Sequence, residues 1–98
     1  MPMIEITQQT SQLVLTGELT RKTVTKSFEK KSRQLLSNGT KTLSLAGVSK
    51  VDTAGLAWLL MMLEQANRQT IAIQFIDIPH ELTKLAKLSA VDSFLPIN

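Results

Sequence analysis

Two periods of apolar residues alternate along this 98-residue chain, and the alternation restricts it to a mixed α/β fold. Met3, Ile4 and Ile6, then Leu13, Val14 and Leu15, follow strand spacing on either side of a polar turn at 8–12, which is the pattern of a hairpin. Gly17 marks where its second strand bulges or ends. Thr20 or Thr23 is placed to cap a first helix carrying Val24, Phe28, Leu35 and Leu36 at helical spacing, with Asn38-Gly39 as its left-handed stop. Residues 42–46 read as a third strand and 47–50 as a loop leading to Asp52 and Thr53, both good caps for a second helix over about 54–67. The apolar run 71–76 reads as a central strand covered on both faces. Pro79 fits the first position of a third helix with Leu82, Leu85 and Ala86 inward, and 91–95 reads as a short extra turn. The order β-β-α-β-α-β-α predicts a mixed sheet of about four strands with about three helices and right-handed crossovers.

Length confines this pattern to a single domain over 1–98 with one core. At 43% hydrophobic and 19% charged residues, the chain is too apolar for disorder. The absence of cysteine excludes a disulfide frame, a thiolate zinc site and a cysteine nucleophile. His80 is the sole histidine and stands at a predicted helix start, without the motif that a hydrolytic triad or metal cluster needs. The four glycines fall one per junction instead of clustering into a phosphate-cradling loop, and nothing brings Asp52 and Asp77 together as paired carboxylates. A non-catalytic protein with no metal or cofactor is the expectation. The first residues lack the basic and apolar regions of a signal peptide, and no apolar run approaches the roughly 18 residues of a membrane span, so a cytoplasmic location is expected.

Six of the eleven basic residues lie between Arg21 and Arg33, where Glu29 is the single acid. On a helix Lys22, Lys26, Lys30 and Arg33 cluster roughly opposite Val24, Phe28 and Leu35, as on a solvated face. No aromatic residue interleaves with them and tyrosine is absent, so nucleic acid is not an expected partner.

The second helix is greasier than one packing face requires. Leu56, Leu59, Leu60, Leu63 and Ala66 already make a core stripe, while Ala54, Trp58, Met61 and Met62 project toward the other side. Because Trp and Met are favoured at interfaces, these residues are expected to form a partner-binding face. Thr53, at the helix start, has a plain role as N-cap and a sharper one as a contact or phosphoacceptor, with Gly55 allowing another molecule's backbone to approach.

Residues 45–57, Leu-Ala-Gly-Val-Ser-Lys-Val-Asp-Thr-Ala-Gly-Leu-Ala, resemble the signature loop and helix start of STAS domains, usually DLSxVxxxDSxGL. Leu15-Thr16-Gly17-Glu18-Leu19 looks like the family's early L-x-G-x-L element and Leu85-Ala86-Lys87-Leu88 like its late helix. Within the family, the Asp52-Thr53 pair, the short length and the Leu-rich helix look most like the MlaB subfamily, small cytoplasmic subunits of Mla phospholipid ABC transporters. The resemblance implies a STAS-like mixed sheet. It also implies no catalysis and a docking role on an MlaF-like ATPase, which ties the chain indirectly to a permease and the inner membrane. Such transporters keep the Gram-negative outer membrane asymmetric in lipid. By the same resemblance, Thr53 holds the place of the family's conserved hydroxyl, Asp52 that of its supporting acid and Gly55 that of its glycine. The alternative function it implies is that of an anti-sigma factor antagonist, whose kinase partner phosphorylates this hydroxyl. Two departures bear on that alternative: Ser44 stands where the aspartate of DLS is usual, and Ala46 replaces the small polar residue after the leucine. Loss of an acid beside the hydroxyl is expected to alter any phosphorylation network.

Overall fold

In the computed structural model, which describes residues 3–36 and 42–95, eight elements follow one another. They are β1 (Ile4–Gln9), β2 (Gln12–Leu19), α1 (Lys26–Leu36), β3 (Thr42–Val51), α2 (Thr53–Arg68), β4 (Gln74–Ile76), α3 (His80–Leu88) and a 3-10 turn (Asp92–Phe94). The expected order of strands and helices is therefore present, and the sheet runs β1-β2-β3-β4. β1 is antiparallel to β2, whereas β2, β3 and β4 are parallel.

Strand alternation separates the two sheet faces. Ile6, Leu13, Leu15, Leu43, Leu45 and Phe75 are buried in the core, while Glu5, Thr7, Thr16, Ala46 and Gln74 are exposed on the other side. Right-handed crossovers that always step the same way, from β2 to β3 to β4, place α1 and α2 on one face. In that layer α2 is the middle helix, packed against both α1 and α3. The domain thus has two layers, not a sheet covered on both sides.

Gly17 is the bulge that its position suggested. Its φ is +109°, the β2–β3 register shifts beside it, and a side chain there would strike the backbone of Met3. The hairpin closes through a two-residue turn at Thr10 and Ser11, with Gln9 opposite Gln12.

Four local expectations are corrected. α1 starts at Lys26 and is capped by Thr25, whose Oγ1 accepts the Phe28 N–H at 3.2 Å; Thr20 and Thr23 instead build the turn before it. Residues 47–50 are not a loop but the continuation of β3, which pairs with β2 as far as Val51. Run 71–76 is not a central strand: only Gln74–Ile76 pair, and they form the sheet edge. Ile71 is used instead to end α2, its N–H donating to the Ala66 carbonyl at 2.8 Å after Thr70 turns left-handed at φ 57°. Pro79 is the residue just before α3, not its first. The Asn38-Gly39 stop lies outside the described residues.

Candidate functional site

The site grows from the junction of β3 and α2, which lies beside the end of β2. Asp52 has extended dihedrals, and its Oδ1 accepts the Gly55 N–H at 3.0 Å, so it is the N-cap of α2. Its Oδ2 accepts the Arg21 N–H, also at 3.0 Å, tying the loop after β2 to the helix start. Burial pushes the Asp52 carboxyl upward, but the N–H groups of Arg21, Gly55 and Ala54, with the Arg21 charge, outweigh it and hold the pKa below the ordinary value.

A lowered folded pKa sets the sign of a pH effect. The stabilisation from this cap is complete above the unfolded aspartate value of about 3.9 and is lost as pH falls through the lower folded value. Asp52→Ala is therefore expected to cost about 1 kcal/mol near neutrality, with the deficit shrinking below about pH 4. Urea unfolding of both proteins across that range checks it; a deficit independent of pH would contradict the assignment.

With Asp52 as the cap, Thr53 is the first helical residue and its side chain is exposed. The capping role considered for Thr53 is thereby corrected. Gly55 is buried, and the backbone that approaches it is the domain's own: an added Cβ would collide with the Leu19 carbonyl of β2. Gly55 therefore serves internal packing instead of meeting a second molecule.

The expected sticky face divides in the structure. Trp58 is 2% exposed and Met62 0%, so both belong to the core. The Trp58 ring lies 5.1 Å from that of Phe28 on α1, tilted by 31°. These residues are not docking surface, because a central helix is covered by its neighbours as well as by the sheet. Met61 and Ala54 are half-buried and Ala57 is exposed. Together with Arg21, Val24 and the edge of Trp58, they line a groove between α2 and the start of α1. On the other side of Arg21 lies a second, polar groove lined by Glu18, Thr20, Lys22, Lys50 and Asp52. Arg21 borders both and forms no ion pair among the described residues. Reading by sequence missed it because its charge was counted with the basic helix, whereas Asp52 fixes its backbone beside Thr53.

Ser44 is not beside the Thr53 hydroxyl. It lies near the opposite end of β3, roughly 20 Å of extended chain away, where it is buried and donates to Asp77 Oδ2 at 3.3 Å. The absent acid therefore does not alter the surroundings of Thr53. His80 is exposed at the start of α3.

A capped helix start beside the end of a parallel strand, with a hydroxyl facing solvent, is the arrangement of a STAS domain. Among solved structures, the anti-sigma factor antagonist SpoIIAA in its unphosphorylated form superposes with a TM-score of 0.63 at 13% identity, covering 87% of this chain and 82% of that one. A family model described as "Mlab, STAS domain" matches residues 3–96, and the chain belongs to that family. A search of curated proteins finds no match. Among the described residues, no helix is long and apolar enough to cross a membrane.

Proposed function

We propose that this chain is a non-catalytic STAS subunit that binds and supports the ATPase of an Mla-type phospholipid ABC transporter, which maintains outer-membrane lipid asymmetry. It would act in the cytoplasm, held near the inner membrane and the permease through that ATPase. The observation that carries the reading is the exposed Thr53, freed from capping, one residue before Ala54 and one helical turn before Ala57, both of which line the groove with Met61. The family match supports a STAS domain of the MlaB-like kind, and the ATPase is the partner that we propose for it. Of the residues expected to meet the partner, Thr53, Ala54 and Met61 remain in this role.

Thr53→Glu tests it. A carboxylate in the first turn suits the helix dipole, so folding is expected to be retained, whereas its burial in an interface costs several kcal/mol. Thr53→Glu is expected to weaken binding to the co-expressed ATPase about a hundredfold and Thr53→Ser no more than about threefold, read as Kd by calorimetry. Equal affinities would remove Thr53 from the contact.

The second reading, an anti-sigma factor antagonist switched by a kinase at Thr53, is favoured by the same exposed hydroxyl and by the fold shared with SpoIIAA. A serine kinase and sigma factor encoded beside this gene would support it, and an adjacent ATPase and permease the first.

A further inference from the structure

The exposed side of α1 and the loop before it concentrate the positive charge of the chain. Lys22, Lys26, Lys30 and Lys31 are exposed and form no ion pair among the described residues, whereas Arg33 pairs with Glu29 at 3.8 Å. Phe28, Ser32 and Leu36 set the buried side of the helix. At about 100° per residue, Lys26 and Lys30 therefore stand on the opposite side, with Lys31 on one flank. Lys26 and Lys30 are four residues apart and repel one another across a single helical turn. Outside 21–33 the chain carries five bases against seven acids, so the field of the molecule is lopsided.

The residue types discriminate among the anions that could meet this face. A protein carboxylate is best held by arginine, whose fork grips both oxygens, and protein interfaces are poor in lysine and rich in aromatic residues. The exposed positions of α1 are Lys26, Ser27, Lys30, Lys31 and Gln34, with no aromatic or aliphatic residue among them. Lysine on a convex helix needs no shaped counterpart and suits a diffuse sheet of negative charge, such as an anionic lipid surface. Beside these lysines, Met3 is 61% exposed and lines a groove with Lys22, Ser27 and Lys31. An exposed apolar chain gains from entering a headgroup layer and gains nothing from a polynucleotide backbone.

We propose that α1 and the loop before it rest on an anionic phospholipid surface, with Lys22, Lys26, Lys30 and Lys31 toward the headgroups and Met3 entering between them. The contact relieves the repulsion between Lys26 and Lys30 and turns the slightly acidic remainder of the chain away from the lipid. This contact is direct, needs no ATPase, and goes beyond the ATPase-binding reading.

Co-sedimentation of the purified chain with vesicles tests it. Binding is expected to mixed phosphatidylglycerol and phosphatidylcholine vesicles at low salt, to be lost at about 0.5 M salt, and to be absent with phosphatidylcholine alone. Lys30→Gln combined with Lys31→Gln is expected to bind about twenty-five-fold more weakly, about fivefold for each lysine, with an unchanged circular dichroism spectrum. Met3→Ser is expected to weaken vesicle binding about threefold. Lys84→Gln combined with Lys87→Gln removes the same charge from exposed positions of α3 and is expected to stay within about twofold of wild type. Equal losses in the two lysine pairs would reduce the effect to net charge and overturn the face. Failure of wild type to bind the mixed vesicles, or tighter binding to double-stranded DNA at matched phosphate concentration, would overturn the lipid partner. None of these results touches the ATPase reading, because no ATPase is present.

Discussion

Trp58→Ala is expected to lower the unfolding free energy by about 3–5 kcal/mol, a large share of what a domain this size possesses. The indole is 2% exposed, stacks near Phe28 and fills the seam between α1 and α2. Truncation leaves a cavity where α2 is already fixed against the sheet and α3, so the surroundings cannot collapse to fill it. A charged replacement, Trp58→Glu, adds the burial of an unpaired carboxylate and is expected to yield no folded protein. Met61→Glu offers the contrast: its site is half-buried, and the variant is expected to stay folded. Urea denaturation followed by far-ultraviolet circular dichroism separates these results. A Trp58→Ala protein within about 1 kcal/mol of wild type would show that the seam is not a core.

The second large effect has the opposite sign to that given by helix propensity. Alanine is favoured over glycine inside a helix by about 1 kcal/mol, yet Gly55→Ala is expected to destabilise this domain by about 2–3 kcal/mol, and Gly55→Val by more. The reason is the carbonyl of Leu19, into which the new Cβ would project. Backbone cannot rotate aside as a side chain does, so the start of α2 must lift from the end of β2. That motion would stretch the hydrogen bonds from Arg21 and Gly55 to Asp52 and shift Thr53. Under the proposed role, loss of ATPase binding is therefore expected to accompany the lower melting temperature. A Gly55→Ala protein more stable than wild type would refute the close approach.

These two residues show what the chain reveals before it is folded and what it conceals. Element order and the place where α2 begins were legible because strand and helix periods differ and because caps are chemically distinctive, but which of Asp52 and Thr53 caps the helix was not. The burial of Trp58 was not, since apolar residues all round a helix say that it is covered without saying by what. Three layers would have left α2 bare on one side; two layers put α1 and α3 against its flanks. Ile71 misled for a related reason: a residue closing a helix and one starting a strand are equally apolar. Arg21 became visible only when the hydrogen bond between its N–H and Asp52 joined positions 31 apart in sequence.

The helix-free side of the strands has a consequence of its own. It presents Glu5, Thr7, Thr16 and Gln74 to water, with the exposed Ala46 and the half-buried Val14 and Ile76 among them. Ser44 stands between Val14 and Ile76 in register, so the apolar groups there form no unbroken strip on which a second copy could stack. Under the proposed role, attachment is one-sided, which suits a part that clings to a single machine without gluing neighbouring machines together.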